Sequence, residues 1–362
     1  MKSNPEIDKI LNKSKAGQRL SVSEGVRLFQ STGPELHKII ATADEHRQKV
    51  VGEKISYVVN RNLNLSNICI NSCQFCGFKR NPDSPEAYLL SIDEVQNIVQ
   101  QAVQKQQISE LCLVSGLHPD FDLDYYLQVI KAIKSVAPQL HVHGITPEEL
   151  KHALRQTELS FAEGYAQLKR AGLDSVAGTA AEILVPRVRK KICPEKITTK
   201  EWITAIKAAH QLGLKSTATI MYGHVESTKE RIEHLQIIRN IQEETQGFTE
   251  FIPLAFIHQQ TPLYQQGVIN KGSTAREDIL MIAIARLFLD NIDNIQTSWV
   301  KYGPKLAQFT LQAGANDLGG TLYSEKISKE AGAKNGEYLT PAQLKELIED
   351  LNRVPQQRAT TY

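Results

Sequence analysis

From residue 57 onward, short apolar or β-branched segments alternate with longer segments in which apolar residues recur at helical spacing. The short segments are typical of buried strands, and the longer ones predict helices. The segment SIDEVQNIVQQAVQKQ carries a helix start signal, because Ser91 precedes Asp93 and Glu94 in the first predicted turn. The predicted strands lie at residues 62–68, 110–116, 140–145, 175–178, 216–222, 251–256, 294–300 and 317–322.

The number of these units favours one fold. Eight strand–helix units in about 300 residues match the count and size of a (β/α)8 barrel. We therefore predict an α/β fold, with a (β/α)8 TIM-type barrel over residues 56–362 and an N-terminal helical extension over residues 1–55. A doubly wound open sheet of about six strands remains an alternative. In a barrel, functional side chains follow the C-terminal ends of the strands.

Composition narrows the class of protein. The 362 residues include 42 Lys and Arg against 40 Asp and Glu, a net charge of +2, which argues against a nucleic-acid-binding surface. The N-terminus lacks the apolar centre of a signal peptide. The longest apolar run, residues 279–289, is too short to span a bilayer and contains Arg286. We expect a cytoplasmic protein that binds neither membrane nor nucleic acid.

Three of the five cysteines, Cys69, Cys73 and Cys76, fall within the stretch SNICINSCQFCGFKRN. Thiols stay reduced in the cytosol, so such a group predicts metal binding or catalysis. A closed zinc site needs four ligands, but Cys112 lies in a predicted strand and Cys193 stands alone. An iron–sulfur cluster held by three cysteines leaves one iron open to a further ligand. A non-catalytic protein with a structural metal site remains an alternative.

The spacing Cys-x3-Cys-x2-Cys, with Phe75 before the last cysteine and the position after the first strand, resembles the signature of the radical S-adenosylmethionine (SAM) superfamily. The resemblance implies a [4Fe–4S] cluster with one iron not bound by cysteine, which SAM chelates through its amino and carboxylate groups. One electron then cleaves SAM to methionine and a 5′-deoxyadenosyl radical. It also implies that Phe75 packs near the adenine, and that Ser115 and Gly116 in VSGLHP meet the SAM amino group.

Later segments resemble one subgroup of this superfamily: VAGTAAEILVPRVRKKICPEKI (176–197), TIMYGHVES (219–227) and TSWVKYGPKLAQFTLQAGANDLGGTLYSEKIS (297–328). The subgroup contains two components of FO synthase, which make a deazaflavin, and two menaquinone-pathway enzymes. The menaquinone relatives carry a glycine-only run where this chain has Gly178, Thr179 and Ala180, so GTAAEIL most resembles the tyrosine-using FO synthase family. Aminofutalosine synthase, cyclic dehypoxanthine futalosine synthase and the partner deazaflavin component remain alternatives on the same scaffold.

The resemblance implies a radical SAM transferase that cleaves L-tyrosine between Cα and Cβ and adds the 4-hydroxybenzyl group to 5-amino-6-(D-ribitylamino)uracil. The other products are 2-iminoacetate, 5′-deoxyadenosine and methionine. The implied partners are the other radical SAM subunit of FO synthase and a low-potential electron donor of flavodoxin or ferredoxin type.

Polar residues after the predicted strands are candidates for the remaining roles, and each has a structural role as its alternative. Glu182 is a candidate acceptor for the SAM ribose, and Arg189 is a candidate partner for a carboxylate of SAM or tyrosine. Proton transfer is assigned to His118, His224 and Glu226. Substrate binding, through the edges of the uracil or the ribityl hydroxyls, is assigned to Asn316, Asp317 and Thr321.

Overall fold

Nine strands form within residues 5–362, the part of the chain that the computed structural model describes. Every pair of neighbouring strands is parallel. The strands are β1 (Lys54–Val58), β2 (Asn60–Leu63), β3 (Glu110–Leu113), β4 (His141–Gly144), β5 (Ser175–Val176), β6 (Lys215–Tyr222), β7 (Phe248–Ala255), β8 (Asp317–Gly320) and β9 (Val354–Gln357).

The strands close into a barrel. One sheet has the order β2-β3-β4-β5-β6-β7 and the other has the order β8-β1-β9, while β1 and β2 are consecutive parts of one extended run. Parallel bridges from Phe251 to Ile295 and from Gln296 to Asp317 place a further short strand, at residues 295–296, between β7 and β8. Since β1 and β2 together form the first strand of the barrel, this short strand is the seventh. Ser56 of β1 pairs with Asp317 of β8 and completes the ring. The prediction of a (β/α)8 TIM-type barrel is confirmed, and the open sheet is excluded.

The first strand lies earlier than the sequence pattern predicts. It occupies residues 54–63, and the predicted strand at 62–68 is mostly loop. The polar side chains after Leu63 explain the difference, because they bond to neighbouring loops instead of facing a sheet. Asn64 Nδ2 donates to the Val114 carbonyl over 2.6 Å, and Ser66 Oγ donates to the Tyr88 carbonyl over 2.6 Å.

Helices surround the barrel, and many begin at a Ser or Thr whose side chain caps the third residue of the helix, as the start at Ser91 predicts. A π-helical turn, Ala102–Gln106, follows α4. The α-helices are α1 (Pro5–Lys15), α2 (Val22–Phe29), α3 (Pro34–Val51), α4 (Ile92–Gln101), α5 (Leu123–Val136), α6 (Pro147–Ala153), α7 (Phe161–Ala171), α8 (Pro186–Ile192), α9 (Thr199–Gln211), α10 (Thr228–Thr245), α11 (Pro262–Gln265), α12 (Ala275–Phe288), α13 (Trp299–Tyr302), α14 (Pro304–Thr310), α15 (Ile327–Glu330) and α16 (Pro341–Glu349).

The three helices before the barrel pack on its outer surface, where α2 and α3 contact α12 and α2 also contacts α10. This arrangement explains the apolar run at residues 279–289, which forms most of α12 and is buried on all sides. Barrel helices that face solvent carry one apolar face, but α12 lies between β7 and the N-terminal helices. Within residues 5–362, no helix is both long and apolar enough to cross a membrane.

The C-terminal segment closes the lower end of the barrel, where the strands begin. After β9 pairs with β1, Arg358 enters the barrel and donates from Nε to Asp317 Oδ2 over 2.5 Å and from Nη2 to Glu250 Oε1 over 3.2 Å. The Tyr362 hydroxyl lies 2.9 Å from Glu250 Oε2 and 3.0 Å from Asp317 Oδ2. We call Glu250, Asp317, Arg358 and Tyr362 the basal cluster. It fills the end of the barrel opposite the site described below.

Candidate active site

A large cavity opens at the upper end of the barrel, where the strands end. It encloses about 1170 Å³ of space not filled by protein atoms, its open mouth included. Its walls come from the loops after successive strands, as expected for a barrel enzyme. We call it the central cavity. The residues predicted from the sequence that line it are Cys69, Cys73, Phe75, Cys76, Ser115, Gly116 and Glu182.

The loop that carries the three cysteines is held by backbone hydrogen bonds to its neighbours. The Ile70 amide donates to the Leu117 carbonyl over 3.0 Å, and the Gln74 amide donates to the Ile192 carbonyl over 2.8 Å. A Cβ at Gly77 would collide with the Glu330 carbonyl oxygen, so only glycine lets the loop approach the segment after β8 so closely. The position of the cysteine loop is therefore set by its contacts with the rest of the barrel.

The three thiols fit an iron–sulfur cluster. Burial raises the pKa of the Cys73 and Cys76 thiols above the ordinary value, so a thiolate there needs a positive partner such as a metal. Thiolates are the soft ligands that iron–sulfur clusters use. No three His, Cys, Asp or Glu side chains among residues 5–362 are grouped closely enough for a single metal ion. A cluster differs in this respect, because each thiolate binds a separate iron and the sulfurs need not meet at one point.

The other two cysteines do not line the central cavity. Cys112 lies within β3, and Cys193 is buried at the end of α8. Burial raises the pKa of the Cys193 thiol to about 11, so it stays protonated at neutral pH. Of the five cysteines, the three of this one loop are therefore the ones that line the cavity.

An ion pair that the sequence analysis missed lies beside the cysteine loop. Lys196 Nζ is 2.7 Å from Glu182 Oε1, and each side chain is only 12% exposed. The same ammonium lies 5.5 Å from the centre of the Phe75 ring. Burial lowers the pKa of Lys196, but the charge of Glu182 and those of other acidic neighbours such as Glu148 together outweigh that effect and hold the pKa above its usual value. Lys196 belongs to the basic run RVRKKICPEK, which resembles a solvated surface in the sequence.

Arg189 supports the cavity wall and does not line it. Its buried guanidinium donates to the carbonyl oxygens of Ala180, Ala181 and Ile197. These bonds hold a strained turn, because Ala180 and Glu182 adopt left-handed backbone angles with φ of 69° and 44°. The predicted pairing of Arg189 with a ligand carboxylate does not match this placement, since backbone carbonyls occupy the guanidinium.

Ser115 and Gly116 join the cysteine loop to the wall after β3. Ser115 Oγ accepts from the Leu65 amide over 2.7 Å, and a Cβ at Gly116 would collide with the Ile68 carbonyl. The Ser115 amide donates to Glu149 Oε1 over 3.0 Å. Glu149 lines the cavity but was missed from sequence, and burial raises its pKa to about 7.

The three predicted proton-transfer residues lie outside the cavity lining. His224 Nδ1 is 3.0 Å from Glu226 Oε2, and both side chains are fully buried. Arg231 Nε lies 2.7 Å from Glu226 Oε1, and His224 Nε2 lies 3.0 Å from the carbonyl of Met221, which does line the cavity. Burial raises the pKa of Glu226, but the bond and charge of His224 and the charge of Arg231 hold it well below its usual value. His224 and Glu226 therefore brace the wall from behind. His118 is also outside the lining.

The predicted substrate residues after α14 are likewise bound elsewhere. Asn316 Oδ1 accepts from Arg286 Nη2 over 2.7 Å, and Asp317 belongs to the basal cluster. Thr321 Oγ1 donates to the Asn60 carbonyl over 2.7 Å and fastens β8 to β2. The structure does not bring these three side chains to the central cavity. Asn316 and Asp317 lie where β8 begins, at the lower end, whereas Thr321 follows β8 and its hydroxyl is held by the Asn60 carbonyl.

Comparison with known proteins assigns the chain to a family. Residues 63–238 match the family model of the radical SAM superfamily, and residues 245–362 match the CofH/MqnC C-terminal region. A relative from Methanoculleus marisnigri is 48% identical over 358 residues, covering 99% of this chain and 97% of the relative. A relative from Archaeoglobus fulgidus is 50% identical over 321 residues, covering 88% and 91%. Both are named 5-amino-6-(D-ribitylamino)uracil–L-tyrosine 4-hydroxyphenyl transferase.

Solved structures confirm the fold. The FeFe-hydrogenase maturase HydG from Carboxydothermus hydrogenoformans superposes with a TM-score of 0.75 at 19% identity, covering 99% of this chain and 81% of HydG. Methylornithine synthase, PylB, superposes with a TM-score of 0.73 at 17% identity, covering 96% and 97%. The family models and the relatives at 48% and 50% identity show that the chain belongs to the radical SAM superfamily and, within it, to the family of 5-amino-6-(D-ribitylamino)uracil–L-tyrosine 4-hydroxyphenyl transferases.

Proposed function

We propose that the protein is a radical SAM transferase of FO biosynthesis. It cleaves L-tyrosine between Cα and Cβ and attaches the 4-hydroxybenzyl group to 5-amino-6-(D-ribitylamino)uracil, with release of 2-iminoacetate, 5′-deoxyadenosine and methionine. The observation that carries this proposal is the identity of 42–50% to relatives named for this transferase, over nearly the whole chain in most of them. The menaquinone-pathway reactions that share the scaffold are not those for which these relatives are named.

Cys69, Cys73 and Cys76 would hold a [4Fe–4S] cluster and leave one iron for the amino and carboxylate groups of SAM. When bound, the cluster and SAM supply the radical that removes a hydrogen atom from tyrosine. The protein fixes the cysteine loop in advance through the hydrogen bonds of Ile70 and Gln74. Such preorganisation places reacting groups without a cost in ordering them at the moment of reaction.

The wall beside the cluster supports the binding of SAM. Glu182 and Lys196 offer a carboxylate and an ammonium in a pocket that is largely closed to solvent, next to the Phe75 ring. Glu182 suits the ribose hydroxyls, because carboxylate oxygens accept hydrogen bonds from hydroxyl groups. The apolar residues Ala255 and Phe256 on another part of the lining help to exclude water from a radical reaction.

Two protein partners follow from this function. The adduct would pass to the other radical SAM subunit of FO synthase, which closes the deazaflavin ring, and a flavodoxin or ferredoxin would supply the low-potential electron. We place the reaction in the cytoplasm, and the five free cysteines support a reducing location.

The test is an anaerobic assay of the reconstituted protein with SAM, dithionite, L-tyrosine and the ribityl-diaminouracil. We expect tyrosine-dependent formation of 5′-deoxyadenosine and, by mass spectrometry, a product that carries the 4-hydroxybenzyl group. Parallel reactions contain the substrates of the menaquinone-pathway enzymes instead. Activity only in those reactions, or no dependence on tyrosine, would exclude the proposed transfer.

A further inference from the structure

A lysine that the cluster and the SAM-binding wall do not use lines the central cavity. Lys301 follows the short seventh strand and lies in α13. Its Nζ donates to Ser328 Oγ over 2.7 Å. The side chain is partly accessible because it faces the cavity and not packed protein. Within the described chain, no carboxylate lies within 4.0 Å of this ammonium, so its charge has no direct partner.

The environment of Lys301 is unfavourable for a charge in the absence of a ligand. Burial lowers the pKa of its ammonium, although the more distant charges of Glu325 and Glu182 act in the opposite direction. A desolvated ammonium without a counter-ion destabilises the folded chain unless an anionic group compensates it. The other buried lysine of the cavity, Lys196, already has Glu182 at 2.7 Å. A third lysine of the lining, Lys79, also borders a second pocket outside the central cavity, so Lys301 is the lysine that is best suited to an anionic group of a ligand.

The chemistry of the substrates identifies that group, on the basis of the proposed function. In the proposed function the open iron of the cluster would take the carboxylate of SAM, and the ribityl-diaminouracil carries no acidic group. The carboxylate of L-tyrosine is the remaining anion that the cavity must accept. An ammonium–carboxylate hydrogen bond is among the stronger polar contacts in proteins, and it would also orient the Cα–Cβ bond of tyrosine.

We propose that Lys301 binds the carboxylate of L-tyrosine and that this contact selects an amino acid over an amine of the same shape. Ser328 positions the ammonium through the 2.7 Å hydrogen bond from Lys301 Nζ. The amide of Ser328 in turn donates to both carboxylate oxygens of Glu325, each over 3.0 Å, which fixes the start of α15.

The experiment measures equilibrium binding of L-tyrosine and of tyramine, which lacks the carboxylate, to the reconstituted enzyme. SAM is present and reductant is omitted, so no turnover occurs. In the wild type we expect L-tyrosine to bind more tightly than tyramine. Lys301→Met should weaken L-tyrosine binding about 10- to 100-fold, the range for loss of a charged hydrogen bond, and change tyramine binding less than about threefold. Lys301→Arg keeps the cation and should retain the preference.

Lys305→Met is the matched control, because Lys305 is an exposed lysine four residues along the chain and should leave both affinities unchanged. Iron content and circular dichroism report whether each variant is intact, and Lys301→Gln replaces Lys301→Met if the latter loses iron. An equal loss for both ligands, or a loss of SAM affinity instead, would overturn the assignment of Lys301 alone. A wild type that neither binds nor consumes L-tyrosine would overturn the proposed function as well.

Discussion

Replacement of Arg358 by methionine removes the cation of the basal cluster and leaves two buried carboxylates facing each other. The side chains of Arg358, Asp317 and Glu250 are 4%, 0% and 3% exposed, so water cannot replace the lost guanidinium. Removal of one partner from a buried ion pair costs about 3–5 kcal/mol. This is a large part of the 5–15 kcal/mol that stabilises a typical domain.

Urea unfolding followed by circular dichroism under anaerobic conditions measures this loss. The matched control is Lys207→Met, which breaks the surface pair with Glu244, whose side chain is 56% exposed, and should cost less than about 1 kcal/mol. The double variant Arg358→Met, Asp317→Asn removes one of the two buried carboxyl groups left without a cation and should recover at least about 1 kcal/mol. Iron content should not change, because the cluster site lies at the other end of the barrel. A loss for Arg358→Met no larger than that of the control would refute the view that the basal cluster is desolvated.

Three further predictions concern the central cavity. Cys76→Ala should abolish iron binding, measured by iron and sulfide analysis, and SAM cleavage, measured as 5′-deoxyadenosine, whereas Cys112→Ala should retain both. Loss of iron in Cys112→Ala would contradict the hypothesis that the three cysteines of the loop are sufficient to hold the cluster. Arg189→Met should release the strained turn at Ala180 and raise the KM for SAM more than it lowers kcat, and an effect confined to kcat would argue for direct contact with the reacting groups. Burial raises the pKa of Glu149 to about 7 from 4.5 in the unfolded chain, so the native state holds this proton more tightly and stability falls as pH rises through that interval. This loss of stability is up to about 3 kcal/mol, and it should be smaller in Glu149→Gln when the free energies of unfolding at pH 5 and pH 7.5 are compared. The same pH dependence in the wild type and the variant would contradict the raised pKa of Glu149.

The sequence was sufficient to predict the barrel because its strand, helix and helix-capping signals all indicated the same order of elements. Short apolar segments, helical periodicity and capping residues such as Ser91 all predicted alternating strands and helices. The position of the first strand was less accurate, since the polar residues after Leu63 bond to loops across the barrel mouth. Such hydrogen bonds join segments that are far apart in the sequence, so they cannot be predicted from the local pattern of apolar and polar residues.

The candidate site was predictable where residue type alone decides the chemistry. The three cysteines, Phe75 and Glu182 line the cavity because their loops follow strand ends. Residues that can serve either structure or ligand were harder to assign. Arg189 and His224 have partners that become visible only in three dimensions, and these partners already occupy their polar atoms. Lys301 follows a predicted strand, but its sequence position alone assigns it no role, because the absence of a carboxylate near its ammonium is visible only in three dimensions.

The order in which the ribosome makes the walls of the cavity has a consequence for maturation. Arg80, at the end of the cysteine loop, pairs with Glu330, and the two residues are 250 positions apart in the chain. At roughly 5–20 residues per second, the loop emerges about 12–50 s before the segment that covers it. A similar delay separates the synthesis of β1 from that of its partner β8, since Ser56 and Asp317 are separated by 261 positions. The nascent barrel therefore stays open on the side of its three clustered cysteines, and we expect cluster insertion to be easiest before the last quarter of the chain has folded.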